Sequence, residues 1–234
     1  MNAIIKKELN IYFKTPIAWI FIAVMICVSS VFFTLFNLFD ANSSVSVIFS
    51  LLPWVFVIMI PLLTMRLIAE ERSLKTDQLL LTAPISVSSI VWGKLVAALA
   101  VFGISILLML IFPVILMFYA KIEWGTVVSN YLGFFLMGAA LISVGIFVSS
   151  LTENQFTAGI ITIAVLLAMF IFSSADFAVG IGAVDYVLSL LKILNHFDAF
   201  FIGVINIVDV LYYASIAVIF ALLTIYRMEK RRIK

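Results

Sequence analysis

The chain has 234 residues, of which 65% are hydrophobic and only 11% charged, and its mean hydropathy is +1.30. Soluble domains run at about half apolar and a quarter charged, so this composition excludes a water-soluble globule and points to an integral membrane protein. The net charge of +2 says little by itself, and no nucleic-acid partner is expected.

A helix needs about 20 apolar residues to cross a hydrocarbon core of about 30 Å. The available runs are Ile17–Phe39, Val47–Leu67, Leu95–Tyr119, Tyr131–Leu151, Phe156–Ala175 and Val208–Tyr226. They predict an all-α protein of six transmembrane helices. A barrel is disfavoured because the runs are continuously apolar and do not alternate.

Before the first run, residues 1–16 predict an interfacial helix. Ile5, Leu9 and Tyr12 share one face of Met1–Lys14, while Lys6, Lys7, Asn10 and Lys14 fall elsewhere and suit anionic lipid headgroups. The first run is too long for a signal-peptide core and reads as an uncleaved span. Its Cys27 is the sole cysteine, which leaves the redox compartment undetermined. Asp40–Ser46 reads as a short outer turn.

After span 2 comes a polar island, Ala69–Ser86, reading AEERSLKTDQLLLTAPIS. So much charge in so apolar a chain marks a face that a soluble partner can grip. A surface helix carrying Leu74 and Leu79–Leu81 is expected there, ended by Pro84. Pro113 predicts a kink in span 3. In span 4, Gly138, Gly145 and Ser149 form a small-residue stripe for close helix contact, and Gly93 and Ala97 offer the same near span 3. Packing within one subunit is the expected use of both. Thr152–Gln155 is a brief loop between spans 4 and 5, able to make a second contact beside the island.

Asp176–Val208 departs from a plain six-span layout. Val184, Val187, Leu188, Leu191 and Leu194 form an apolar stripe opposite Asp185, Ser189, Lys192 and His196. An outer amphipathic helix is expected, followed over Phe200–Ile207 by a re-entrant or interfacial turn. This defines an outer cap over residues 177–207, inside a transmembrane domain of 17–226 that ends in a basic tail at 227–234. Placing the N-terminus in the cytoplasm puts twelve of the 14 Lys and Arg residues inside, with only Lys121 and Lys192 outside. Both termini and the 69–86 island are then cytoplasmic.

No catalytic constellation is visible. The chain lacks a phosphate-binding glycine loop before Gly93-Lys94, a metalloprotease His pair and a nucleophile elbow. A single histidine cannot supply a multi-His metal site, and His196 is expected to pair with a nearby acid such as Asp198. The spans carry almost no ionisable residue between their ends, which argues against ion-coupled transport and for energy supplied by a separate ATPase.

The island followed by Val91-Trp92-Gly93-Lys94, and the stretch HFDAFFIGVINIVDVLYY at His196–Tyr213, resemble ABC-2 type permease subunits, specifically the gliding-motility-associated permease family. Lys75 stands where that family often has glycine. The resemblance implies a non-catalytic permease working as a 2+2 assembly, with a second copy or paralogue and two cytosolic ABC ATPase subunits. Cofactors, ATP and Mg, are expected on the ATPase alone. It further implies ATPase docking through a coupling helix with Glu70, Glu71, Arg72, Lys75, Thr76, Asp77 and Pro84, a second contact at Glu153 and Asn154, and Lys6 and Lys7 on an interfacial elbow. The outer helix near Asp185–His196 would form an outer gate, within an outer cap whose candidate residues are Asp185, His196, Phe197, Asp198 and Gly203. An extracytoplasmic auxiliary subunit, a bacterial plasma membrane and membrane lipid complete the expected setting. The expected function is export; the alternative is a non-translocating anchor or mechanical transducer driven by the same kind of ATPase.

Overall fold

The computed structural model of the protein describes residues 1–39, 44–76, 85–175 and 192–232. Helix is the regular structure of the described residues, without strands, as expected where lipid offers the backbone no hydrogen-bond partners. An N-terminal helix, α1 (Asn2–Lys14), precedes α2 (Pro16–Phe32). Pro16 opens α2 at the position where a missing N–H costs nothing. The first span then continues as a π-helical stretch, Phe33–Phe39, which nothing in the hydropathy pattern announces. Next come α3 (Ser46–Thr64) and the short α4 (Ala69–Ser73). Span 3 comprises α5 (Val87–Met109) and α6 (Ile111–Met117), followed by α7 (Trp124–Leu151), α8 (Gln155–Ser174), the short α9 (Asp198–Phe201) and α10 (Ile207–Arg232).

Six of these segments are long and apolar enough to cross a membrane, and they overlap the six predicted runs. Span 3 starts at Val87 rather than Leu95, which draws Lys94 two turns into the helix. The last helix runs on to Arg232, so most of the basic tail continues span 6.

The break between α5 and α6 follows from Pro113. Lacking an N–H, it cannot bond the carbonyl of Met109 four residues back. The Tyr131 hydroxyl of α7 donates to that carbonyl at 2.7 Å. Prolines also sit inside α3, at Pro53 and Pro61.

Span 4 is the most buried of the six and span 6 the least. The small-residue stripe explains the central place of α7. A Cβ at Gly138 would overlap the Phe102 ring, and one at Gly145 would overlap Thr64. The stripe is used for packing within the chain. Around it Phe56 and Phe134 stack at 4.5 Å, with Phe102 edge-on to Phe56 at 5.5 Å. Buried Ser29, Thr64, Ser105, Ser143, Thr162 and Thr224 each donate to a carbonyl three or four residues back in their own helix. These six hydroxyls are satisfied within their own helices, whereas the buried hydroxyl of Ser129 in α7 has no hydrogen-bond partner among the described residues.

Candidate functional site

At one end of the bundle, α1 lies against the start of span 3. Gly93 makes this possible, since a Cβ there would come within 2.9 Å of Ile4. The inward stripe of α1 is Ile4, Glu8 and Tyr12. This corrects the predicted face of Ile5, Leu9 and Tyr12: Ile5 and Leu9 are only half-buried, and an acid occupies the middle of the buried stripe. Lys6 is exposed away from this stripe, and Lys7 is half-exposed at its edge.

Glu8 is buried because Lys94 is. The Lys94 side chain is 1% exposed, and its ammonium lies 2.9 Å from Glu8 Oε1 and 2.9 Å from Glu71 Oε2. The half-exposed Lys7 joins the group at 3.1 Å from Glu71 and 3.9 Å from Glu8. Next to it, Tyr12 donates to the Leu63 carbonyl at 2.7 Å. Burial, then the neighbouring Glu8 charge, pushes the Tyr12 phenol well above its ordinary value, so it remains a donor. Arg66 grips Glu70 with two hydrogen bonds, of 2.5 and 2.8 Å. Paired, Lys94 and Glu8 tolerate burial; removing one partner of a buried pair costs about 3–5 kcal/mol.

The neighbouring Arg72 points the other way. Its guanidinium donates to the carbonyls of Ser150 at 2.7 Å and Thr152 at 2.6 Å, and to Glu153 Oε1 at 3.1 Å. Ser149 accepts from the amides of Ile68 and Ala69 at 3.3 and 3.1 Å, and donates to the Met65 carbonyl at 3.2 Å. Arg231 of the last helix approaches Glu153 at 3.9 Å. The start of α4 is thus capped by a side chain from span 4 and not by its own sequence. A cleft of about 300 Å³ opens between α1 and this segment, lined by Tyr12, Ile17, Leu67 and Leu74 with Arg66 and Lys94.

Of the residues predicted for docking, Glu70, Glu71 and Arg72 are engaged within the chain. Lys75 and Thr76 are exposed, as are Glu153 and Asn154, the latter capping α8 by accepting from the Phe156 amide at 2.9 Å. Asp77 and Pro84 lie outside the described residues, as does Leu79–Leu81. The predicted helix carrying Leu74 on through that leucine cluster does not form as one piece. Its chain is helical only to Ser73, and Lys75 then adopts φ +56°, a left-handed turn that ends a helix. Glu8 and Lys94 were missed as a pair. The available signal was that Glu8 is the sole acid before residue 40, on the same face as Ile4 and Tyr12.

The opposite end holds the predicted cap residues, of which Asp185 lies outside the described ones. His196 pairs not with Asp198 but with Asp209, Nδ1 to Oδ1 at 2.5 Å, and stacks on Tyr212 at 3.8 Å. Asp198 is exposed and heads α9, whereas Asp209 opens the last span one turn before Tyr212, which brings its carboxylate to the ring. Partial desolvation and then the Asp209 charge raise the Asp198 carboxyl above its ordinary range. Phe197 is buried beside Phe200 at 6.3 Å. Gly203 takes φ +88° against Thr126, a conformation and a closeness that favour glycine. Among the described residues no group of three potential metal ligands occurs.

These six spans, capped by a charged junction at one end, define a multi-pass membrane protein. The chain belongs to the ABC-2 family of transporter proteins, whose family model, described as "ABC-2 family transporter protein", matches residues 33–226. It is a membrane subunit of a transporter. No curated protein matches it.

Proposed function

We propose that the chain is the permease subunit of an ATP-driven exporter, moved by a separate cytosolic ABC ATPase that carries ATP and Mg. The observation that carries this reading is the Arg72 clamp. It holds the 69–76 segment against the Ser150–Glu153 turn, so the two charged stretches between spans lie side by side as one surface. Lys75 and Thr76 on one stretch, and Glu153 and Asn154 on the other, are among its solvent-facing residues. The basic residues near this end support a cytoplasmic placement of both termini, and family likeness is what supports a bacterial plasma membrane. The Phe-filled interior leaves the outer surface of the bundle, against a second copy or paralogue, as the place for a translocation path. Family likeness is what supports an extracytoplasmic auxiliary subunit and export over import.

The docking surface is tested at its exposed residues. Charge reversal at Glu70 and Glu71 would break pairs inside the chain and is ill suited. A Lys75→Glu/Thr76→Glu variant should insert normally yet recover at least tenfold less ABC ATPase in a mild-detergent purification. Undiminished recovery would overturn the assignment of this surface.

A further inference from the structure

Glu71 and Arg72 are consecutive, and each grips a different part of the molecule. Arg72 holds the turn between spans 4 and 5. Glu71 holds Lys94 of span 3, which in turn holds Glu8 of α1. The helix that carries both, α4, has only five residues, too few to keep its place by helix formation alone. These side-chain pairs, together with the Ser149 cap on its first amides, hold it in place. We infer that the Lys94 ammonium is a mechanical junction: it ties the 69–76 segment, the N-terminal helix and span 3 into one unit, so that force applied to that segment is delivered to α1 and span 3 together.

This inference rests on the proposed docking of an ATPase at the same segment, and extends it by naming how a push would travel. Three features of the site support it. Lys94 is almost fully buried while contacting two carboxylates from separate elements. A buried ion pair is weak evidence for stability, and in some systems such groups serve instead to fix one geometry. The adjacent Gly93 brings α1 onto span 3 by packing, so the charge contact and the close approach occur at the same level of the helix. The other link between α1 and Glu71 is Lys7, whose half-exposed side chain makes a weaker bridge.

The test uses the full-length chain alone in lipid nanodiscs, read by amide hydrogen exchange over residues 2–14 and 66–76. Glu8→Gln, a change on α1, should speed exchange in the 66–76 segment at least threefold. Glu71→Gln should do the same to α1. The two together should cost more than the product of their separate effects, because the pair leaves a buried ammonium without a counter-charge. In a Lys94→Met background that excess should vanish, and Lys94→Arg should restore it. Lys7→Met, which removes only the exposed bridge, should change either segment less than twofold. Effects confined to the mutated element, or an excess that persists without Lys94, would overturn the junction. Should Lys94→Met fail to insert, the single and double glutamine variants, with Lys7→Met as control, still decide it. These readings need no ATPase. A failure of the wild-type chain to bind one would therefore count against the proposed function and leave the junction to be judged by exchange.

Discussion

Lys75 is the only non-glycine residue among those described that adopts a positive φ, +56°. The amides around it explain why the chain accepts this. Lys75 N–H donates to the Arg72 carbonyl at 3.0 Å, and Thr76 N–H to the Glu71 carbonyl at 2.9 Å, the paired bonds that close a helix through a left-handed residue. A Cβ in that conformation costs about 1–2 kcal/mol. Lys75→Gly should therefore slow amide exchange over 69–76 by about fivefold, equivalent to about 1 kcal/mol, with the rest of the protein unchanged. The composition of 69–86 marked a place where charge gathers. It did not tell which charges face out, because the partners of Glu71 and Glu8 are remote in the chain: Lys7 lies 64 residues from Glu71, and Lys94 lies 86 from Glu8. His196 is the same lesson at shorter range: Asp198 is closer in sequence, but the helical turn of α10 presents Asp209.

At the scale of elements, hydropathy located the six spans because each needs only length and apolarity. It located their ends less well. The apolar run of span 3 begins at Leu95, but the helix begins at Val87, where Ser86 accepts from the Ser89 amide as a cap. The face of α1 was misassigned for a related reason: apolar periodicity gives no weight to an acid, so a stripe with Glu8 at its centre scores worse than Ile5, Leu9 and Tyr12. The kink expected at Pro113 does occur, at Leu110, but its partner across the bundle was invisible in the sequence. Tyr131→Phe would leave the Met109 carbonyl without the hydroxyl that satisfies it. It should lower resistance to unfolding in detergent by about 1 kcal/mol, whereas Tyr119→Phe, on an exposed ring, should change nothing measurable.

Over the whole molecule, the ranking of spans by burial was hidden. Span 4 has one of the lower mean hydropathies of the six, 2.2, yet is the most buried, because glycine and serine let neighbours approach without raising an apolar score. Gly138→Ala and Gly145→Ala should each destabilise the fold by about 1–3 kcal/mol through overpacking. Gly125→Ala, with open space around it, should be neutral or slightly stabilising in the same unfolding assay. The Glu8–Lys94 pair also governs how the protein is made. The carboxylate of Glu8 leaves the ribosome 86 residues ahead of its counter-charge, a wait of roughly 4–17 s at about 5–20 residues per second. During that interval the first two spans are synthesised, while α1 still lacks the Lys94 ammonium that its Glu8 is buried against. The N-terminal helix is made before span 3 yet gains its buried counter-charge only afterwards, so its docking has to follow the insertion of span 3.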